Sequence, residues 1–384
     1  MGKTFLFFSA QYLPTAGGVE RYTCNLARKL IQHGHRVIVA TSALNGLPEQ
    51  ETGADGIEIY RFPCWPFLHG RLPLIRPCGD FRRQEKRLWS QDIDYCVINT
   101  YFYPLSMYAA SQARRHQLPR LIINHGSAWL MTGSKPLELV GKLYEHIATR
   151  LCRHHCSSFY GVSDAAAQWL STFSIQAKGI ITNAIDPEEV QRAAAADIDW
   201  RKRLRLPSGA PVIAFVGRMI PEKGVNSLLA ALARIRQAHP SACLLMAGTG
   251  PLYEKYRQAP PEGVFLLGTQ PYPDVLALLK QADIFCLPTR SEGFACTVLE
   301  SAALGCPILT TATGGSPQLL PDDSYGILLK DMAPDTVADA CVRALSDPGW
   351  RQTAARKARE RLLENYTWDT AVAQLYQAFG LEED

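Results

Sequence analysis

Residues 291–307 read SEGFACTVLESAALGCP. Glu292 and Glu300 stand eight positions apart in a stretch otherwise small and apolar, and Gly293 and Phe294 follow the first directly. The preceding run DIFCLPT reads as a strand. A helix is expected from Thr297 to Leu304, stopped by Gly305 and Pro307. Glu300 then falls in the first helical turn and Glu292 in the loop before it. The amides of Cys296, Thr297, Val298 and Leu299 open at the helix start, where a phosphate is favoured. Glu300 can accept hydrogen bonds from vicinal hydroxyls, as acidic residues do for ribose. Gly293 lets backbone approach a ligand closely, and Glu292 can hold the hydroxyls of a second polyol. The pattern suits two carboxylates gripping the ends of a nucleotide sugar, with its diphosphate between them. A first-turn glutamate favoured by the helix dipole accounts for Glu300 but leaves Glu292 unexplained.

A second loop carries cations. After the apolar run PVIAFVG come Arg218 and Lys223, then Gly224 and a helical stretch. Two positive charges beside a helix start can neutralise a diphosphate; a solvated basic loop is the plainer reading of the same residues.

These loops need elements that hold them. KTFLFFSA, HRVIVATS, YCVINTY, LIINHGS, FYGVS and KGIITNAID read as short strands, with helical GGVERYTCNLARKLIQHG and SMYAASQARRHQL among them. The grammar restarts near residue 211 with PVIAFVG, ACLLMAG, VFLLG, DIFCLPT and CPILTT. Strand–helix alternation of this kind predicts an α/β fold with parallel sheets covered on both faces. A polar break after NAID puts a boundary near Asn183 to Pro187. Two doubly wound domains are expected, with ligands at the carboxyl ends of their strands.

In this order, the motifs resemble retaining glycosyltransferases of family four, which have the GT-B fold of two Rossmann-like domains facing a central cleft. Glu292 to Glu300 looks like the family's E-x7-E motif. Gly17, Gly18 and Glu20 resemble its GGxE loop, and Asn124-His125-Gly126 its strand-end histidine. Asn183, Ile185 and Asp186 look like its N-G-I-D crossover, with Ala184 replacing the glycine. GRMIPEKG at 217–224 is similar to its diphosphate loop. AGTGPL at 247–252 resembles its G-x-G-P turn, with Thr249 where an acid is commoner. YTWDTAVAQLYQAF at 366–379 resembles its closing helix.

The resemblance implies an acceptor-binding domain of residues 1–182 plus a C-terminal helix of about 367–384. It implies a donor-binding domain of 183–366. Arg218 and Lys223 would neutralise the diphosphate and stabilise the leaving group. Glu300 would bind ribose, and Glu292 with the Gly293 and Phe294 backbone would position the donor sugar. His125 would face that sugar, Gly18 would let its loop close on the phosphates, and Gly217, Thr297, Val298 and Leu299 would complete the donor site. It also implies retention of anomeric configuration, with the donor phosphate taking the acceptor proton and no protein base assigned. No cofactor is expected beyond the nucleotide-diphosphate sugar as co-substrate. The nucleotide and sugar stay open, since base-reading contacts near 268–272 leave little signature.

Metal-independent activity is expected. D-x-D occurs at Asp92–Asp94 and Asp197–Asp199, but the first pair precedes a strand and the second sits in the polar segment after the crossover. Cys152 to Cys156, CRHHC, lacks a second pair at zinc-finger spacing. The 11 cysteines show no framework spacing and are read as reduced thiols, which points to the cytoplasm. No apolar run reaches the ~18 residues of a spanning helix. TFLFFSA after Lys3 is read as a first strand, not a leader, because Gln11, Tyr12 and Pro14 stand where a small-residue cleavage site would be. Leu6 excludes a myristoylation signal.

The net charge of +4 is uneven: residues 1–182 carry 20 Lys and Arg against 12 Asp and Glu, and the remainder 20 against 24. Residues 61–90, RFPCWPFLHGRLPLIRPCGDFRRQEKRLWS, hold seven cations against Asp80 and Glu85, interleaved with Phe62, Trp65, Phe67, Phe81 and Trp89. Their prolines exclude a long helix in the first half; Asp80 is expected to cap a short one. Such a mixture suits an anionic membrane surface, and no nucleic-acid module is recognisable. Packing on the same domain is the competing reading. The expected acceptor is a saccharide, in particular a lipid-linked saccharide of envelope polysaccharide or lipopolysaccharide assembly, reached from the inner face of the cytoplasmic membrane. Two other classes fit a nucleotide-sugar site. A sugar-nucleotide epimerase of similar fold would need acid–base carboxylates and no acceptor. A non-catalytic nucleotide-sugar binding protein would turn nothing over.

Overall fold

A computed structural model describes residues 2–14, 17–44, 46–68, 70–129, 135–195 and 198–382. The chain divides into two units, Met1–Asn183 with Trp368–Asp384, and Ala184–Thr367.

The first unit is built on nine strands: β1 (Thr4–Phe8), β2 (Arg36–Ala43), β3 (Gln50–Thr52), β4 (Glu58–Phe67), β5 (Leu72–Ile75), β6 (Tyr95–Asn99), β7 (Arg120–Asn124), β8 (Phe159–Gly161) and β9 (Gly179–Ile180). Their order is β3-β4-β2-β1-β6-β7-β8-β9, with β5 on β4. All pairings are parallel except those of β3 and β5 with β4. β1 is buried throughout, as expected of a parallel strand covered on both faces. The closing helix Trp368–Phe379 belongs to this unit. Its Tyr376 hydroxyl meets His35 Nε2 at 2.6 Å, Gln374 accepts the Thr182 N–H at 2.7 Å, and Phe379 packs on Tyr95 and Phe5.

The second unit carries β10 (Val212–Val216), β11 (Cys243–Ala247), β12 (Val264–Gly268), β13 (Ile284–Leu287), β14 (Ile308–Thr311) and β15 (Ile327–Leu329). Their order is β12-β11-β10-β13-β14-β15, parallel throughout. The chain builds outward from β10 on one side, then returns to lay β13 on the other. The switch point is therefore between β10 and β13, the place where ligands bind in open α/β sheets. The core below it is apolar, with Ile213, Ala214, Phe215, Leu244, Met246, Phe285 and Ile308 fully enclosed.

Several expectations need correction. β4 (Glu58–Phe67) and β5 (Leu72–Ile75) pair antiparallel, and the helix Gly79–Trp89 starts from Cys78, with Asp80 inside it as an ion-pair partner of Arg83 at 2.8 Å. Phe62, Phe81 and Leu88 of the basic–aromatic segment are core residues, and Arg61 is buried against Glu51. Arg83 is also held by Glu49 at 2.8 Å. Among the described residues, the segment leaves exposed Trp65, Phe67 and Leu68 at the hairpin end and the cations Arg71, Arg76, Arg82, Arg83, Lys86 and Arg87. The helix Lys135–His155 was not among the helices expected from the sequence.

Candidate active site

The second unit gathers most of the expected residues around its switch point. Gly217 follows β10, and its N–H donates to Ala247 O at 3.0 Å. Met219 N–H donates to Thr249 O at 2.8 Å, and Gly248 N–H to Gly268 O at 2.8 Å. The ends of β10, β11 and β12 are thus stitched together by backbone. Glycine is required for this: Gly248 and Gly250 have φ of +132° and +149°, and a Cβ on either would overlap the carbonyl oxygen of Gly217 or Met219.

Pro221–Lys223 form one 3₁₀ turn that ends at Gly224, φ +70°. A Cβ there would overlap Pro288 O, just after β13. Arg290 N–H donates to Glu222 O at 2.8 Å. The turn is therefore fixed against the β13 loop, and Lys223 Nζ is ion-paired with Glu292 Oε1. The two side chains retain 17% and 12% of their surface. The sequence reading gave these residues separate jobs; the structure puts them in contact. Arg218 is exposed, and no ion-pair partner is recorded for it among the described residues.

The helix Cys296–Leu304 starts one residue earlier than expected, from Ala295, and ends at Gly305, φ +70°. Two details change. Glu300 is the fifth helical residue, so it lies past the first turn. The amides of Val298 and Leu299 are not open, since both donate to Ala295 O, at 3.1 and 3.4 Å. Glu300 keeps only 4% of its surface, beside Val298, Leu299, Ala302 and Ala303 at 0%.

The loop of Gly293 and Phe294 is pressed from above by Gly314 and Gly315. A Cβ on Gly314 (φ +56°) would overlap Gly293 O, and one on Gly315 would enter the Phe294 ring. Phe294 also meets Tyr366 edge to face at 5.2 Å. The same segment carries Thr313 and Ser316, whose buried hydroxyls have no partner among the described residues. The sequence reading missed this segment; the TGGS turn after a strand was its one visible sign.

In the first unit, His125 follows β7. Its Nε2 lies 2.8 Å from Asn99 Oδ1, at the end of β6, and the Tyr22 ring meets it edge-on at 4.7 Å. A chain of hydrogen bonds orients the imidazole. Thr23 Oγ1 donates to Val19 O at 2.7 Å, so it accepts from Asn99 Nδ2 at 2.9 Å. Asn99 Oδ1 is then the acceptor toward His125, which places the proton on Nε2 and leaves Nδ1 as the acceptor. Burial lowers the His125 pKa to about 3, so the ring is neutral at ordinary pH. Asn99 and Thr23 gave no signal in the sequence; only the β1–β6–β7 order makes them neighbours. Gly17 precedes the helix Gly18–Gln32, and a Cβ on it would overlap the Glu20 carboxylate, whereas Gly18 has open space beside it. Burial raises the Glu20 pKa.

One aspartate of each D-x-D pair has a structural contact. Asp94 accepts the Thr4 N–H at 2.8 Å and meets Lys3 at 3.4 Å, at the amino end of β1. Asp199 caps the helix Trp200–Arg203 by accepting the Lys202 N–H at 3.0 Å; Asp197 lies outside the described residues. In CRHHC, Cys152 Sγ donates to Tyr101 O at 3.1 Å, and the carbonyls of His154 and His155 accept from Arg114 and Arg120.

Comparison with known proteins decides the family. Residues 16–189 match Glycosyltransferase Family 4, and residues 197–361 match Glycosyl transferases group 1. The chain belongs to the family-four glycosyltransferases. It is 26% identical over 386 residues to an uncharacterized glycosyltransferase of Methanocaldococcus jannaschii, covering 95% of this chain and 94% of that one. It is 25% identical over 390 residues to a GDP-mannose-dependent alpha-(1-6)-phosphatidylinositol monomannoside mannosyltransferase of Mycobacterium tuberculosis, covering 96% of each. The Anabaena protein HepE, solved with UDP-glucose, superimposes with a TM-score of 0.74 at 18% identity, over 98% of this chain and 99% of that one. The fold is GT-B, and the protein is a glycosyltransferase.

Proposed function

We propose that this glycosyltransferase moves a sugar from a nucleotide-diphosphate sugar to an acceptor hydroxyl with retention of configuration and without a metal. The observation that carries the reading is the second unit's switch point. There an exposed Arg218, the Lys223–Glu292 pair and the enclosed Glu300 stand on loops fixed by glycine contacts.

Arg218 and Lys223 meet the diphosphate, and the negative charge that grows on it as the glycosidic bond breaks is where they act. Lys223 is already neutralising Glu292, so it is held in place before the donor arrives. Glu300 accepts from the ribose hydroxyls. Glu292, the Gly293 and Phe294 backbone and the orphan hydroxyls of Thr313 and Ser316 take the sugar end. Gly217 and Thr297 line the same donor site, and Val298 and Leu299, fully buried and with their amides used within the helix, support it from the core side. His125 offers a neutral Nδ1 to a sugar hydroxyl, and Gly18 leaves room for phosphate. The donor phosphate takes the acceptor proton on the face from which the nucleotide departs.

The acceptor is a lipid-linked saccharide of envelope polysaccharide or lipopolysaccharide assembly, met at the inner face of the cytoplasmic membrane. The phosphatidylinositol-linked acceptor of the mycobacterial relative and the basic first half of the chain support this. No helix among the described residues is long and apolar enough to cross a membrane.

Proton NMR of the first-formed product, with EDTA present, tests the reaction. The donor's anomeric configuration should be kept at full rate. An inverted product, or activity abolished by EDTA, overturns the reading. Nucleotide release should require an acceptor; turnover of the donor alone would indicate an epimerase, and binding without turnover a carrier. Thermal shifts with UDP, GDP and ADP identify the nucleotide, since a bound ligand stabilises by mass action.

A further inference from the structure

The helix Lys135–His155 turns an uncommon face outward. Leu139, Val140, Leu143, Ile147 and Leu151 retain between 48% and 71% of their surface. Its inner face is fully used: Glu145, Ala148, Thr149 and Cys152 are buried, and Tyr144 donates to Phe102 O at 2.7 Å. The apolar outer residues are therefore not the helix's core stripe displaced by a turn. They form a second stripe.

The spacing gives that stripe a sharp edge. Val140, Leu143, Ile147 and Leu151 recur at i, i+3, i+7 and i+11, one line along an α-helix. Lys142, His146, Arg150 and Arg153 recur at i, i+4, i+8 and i+11, the line beside it, and all four are exposed. Of the helix's two carboxylates, Glu138 is half-buried one turn before Lys142 at the start of the cationic line, and Glu145 is buried on the inner face. An exposed apolar strip bordered by cations and free of exposed acid is what an interfacial helix presents to an anionic lipid surface. A second copy of the chain fits less well: pairing through this strip would bring two cationic lines to the border with no exposed carboxylate of the helix to meet either.

We propose that the outer face of Lys135–His155 docks on an anionic phospholipid bilayer, with Val140, Leu143, Ile147 and Leu151 entering the headgroup boundary and Lys142, Arg150 and Arg153 at the lipid phosphates. This surface is separate from the β4–β5 hairpin and from the donor site. The inference stands whether or not the acceptor is lipid-linked.

The test is co-sedimentation of the full chain with vesicles of phosphatidylcholine alone or with a quarter phosphatidylglycerol. Wild type should bind the anionic vesicles at least tenfold more tightly, and rising salt should weaken the binding. Leu143→Asp/Ile147→Asp should lower binding to anionic vesicles at least tenfold. Lys142→Ser/Arg150→Ser/Arg153→Ser should remove the preference for phosphatidylglycerol. The substituted side chains are exposed, so thermal unfolding and the nucleotide-induced thermal shift should stay at wild-type values; should the double variant unfold, Leu143→Gln/Ile147→Gln replaces it. Equal wild-type binding to both vesicles, or variants within twofold of wild type, overturns the proposal. So does a wild-type dimer on sedimentation that the aspartates split into monomers, which would make this face a self-association surface.

Discussion

The strand ends of the two units solve different problems with the same α/β grammar. In the second unit the loops after β10, β11 and β13 are held by backbone crowding at glycines, and their polar side chains are ionic: Lys223 against Glu292, with Arg218 open. In the first unit the polar groups after β6 and β7 form a neutral relay, Val19 to Thr23 to Asn99 to His125, roofed by Tyr22. One arrangement is prepared for charge and the other excludes it. On the proposed function, the charged arrangement of the second unit would meet the donor's diphosphate, and the neutral relay of the first would orient without a titrating group.

The sharpest way to break that contrast is to remove a charged group. Lys223→Ala and Glu300→Ala should each lower turnover about a hundredfold, from the ~3 kcal/mol typical of one well-placed electrostatic contact. Unfolding in urea should show that both remain folded. Wild-type turnover in either folded variant would sink the assignment.

His125 comes next. Its folded pKa lies below the unfolded value, so the unfolded chain binds more protons as pH falls below about 6.5. Its contribution is fully present above that pH and is lost progressively toward pH 3. Between pH 7.5 and pH 5 wild type should therefore lose up to about 2 kcal/mol more stability than His125→Gln, at 1.36 kcal/mol per pH unit. Activity should show no inflection from this residue between pH 5 and 8. An inflection near pH 6.5 that disappears in His125→Gln would mean the ring is charged during turnover.

Glycine substitutions separate the units further. Gly248→Ala should cost at least about 1–2 kcal/mol in urea unfolding, from left-handed strain alone, before its overlap with Gly217 O. Gly18→Ala meets nothing within 4 Å and should stay within about 0.5 kcal/mol of wild type while lowering donor affinity, read by nucleotide thermal shift. The smallest effect on function is expected at Asp94→Asn. It keeps an acceptor for Thr4 N–H and loses only a half-exposed ion pair, under about 1 kcal/mol, and it should leave turnover unchanged.

Much of the fold was legible because parallel strands covered on both faces read as short apolar runs, and β1, β2, β6, β7, β10, β11, β13 and β14 were visible that way. β3, β4, β5 and β15 were missed: β3 is wholly polar, β4 and β5 carry prolines within the basic–aromatic run, and β15 is only three residues long. The site was legible in residue types and in its helix, Cys296–Leu304, but not in its contacts. Lys223 and Glu292 are 69 residues apart, and only strand order brings the β10 and β13 loops together. The same limit explains the two candidate membrane surfaces. Residues 61–90 have the composition of one, yet Phe62, Phe81 and Leu88 turn inward. Lys135–His155 has two apolar lines, and sequence periodicity cannot say which of them the sheet will cover.

The route of the chain carries a consequence for synthesis. The second unit is one continuous segment, Ala184–Thr367, whereas the first needs Trp368–Phe379 to cover Tyr22, His35 and Phe5. On a ribosome adding roughly 5–20 residues per second, the β1–β9 sheet therefore waits about 10–40 s, uncapped on that side, while the second unit emerges and folds. The later unit can finish first. The earlier one spends that interval with aromatic side chains uncovered, which makes it the half on which a chaperone would act and on which a C-terminal truncation would be felt.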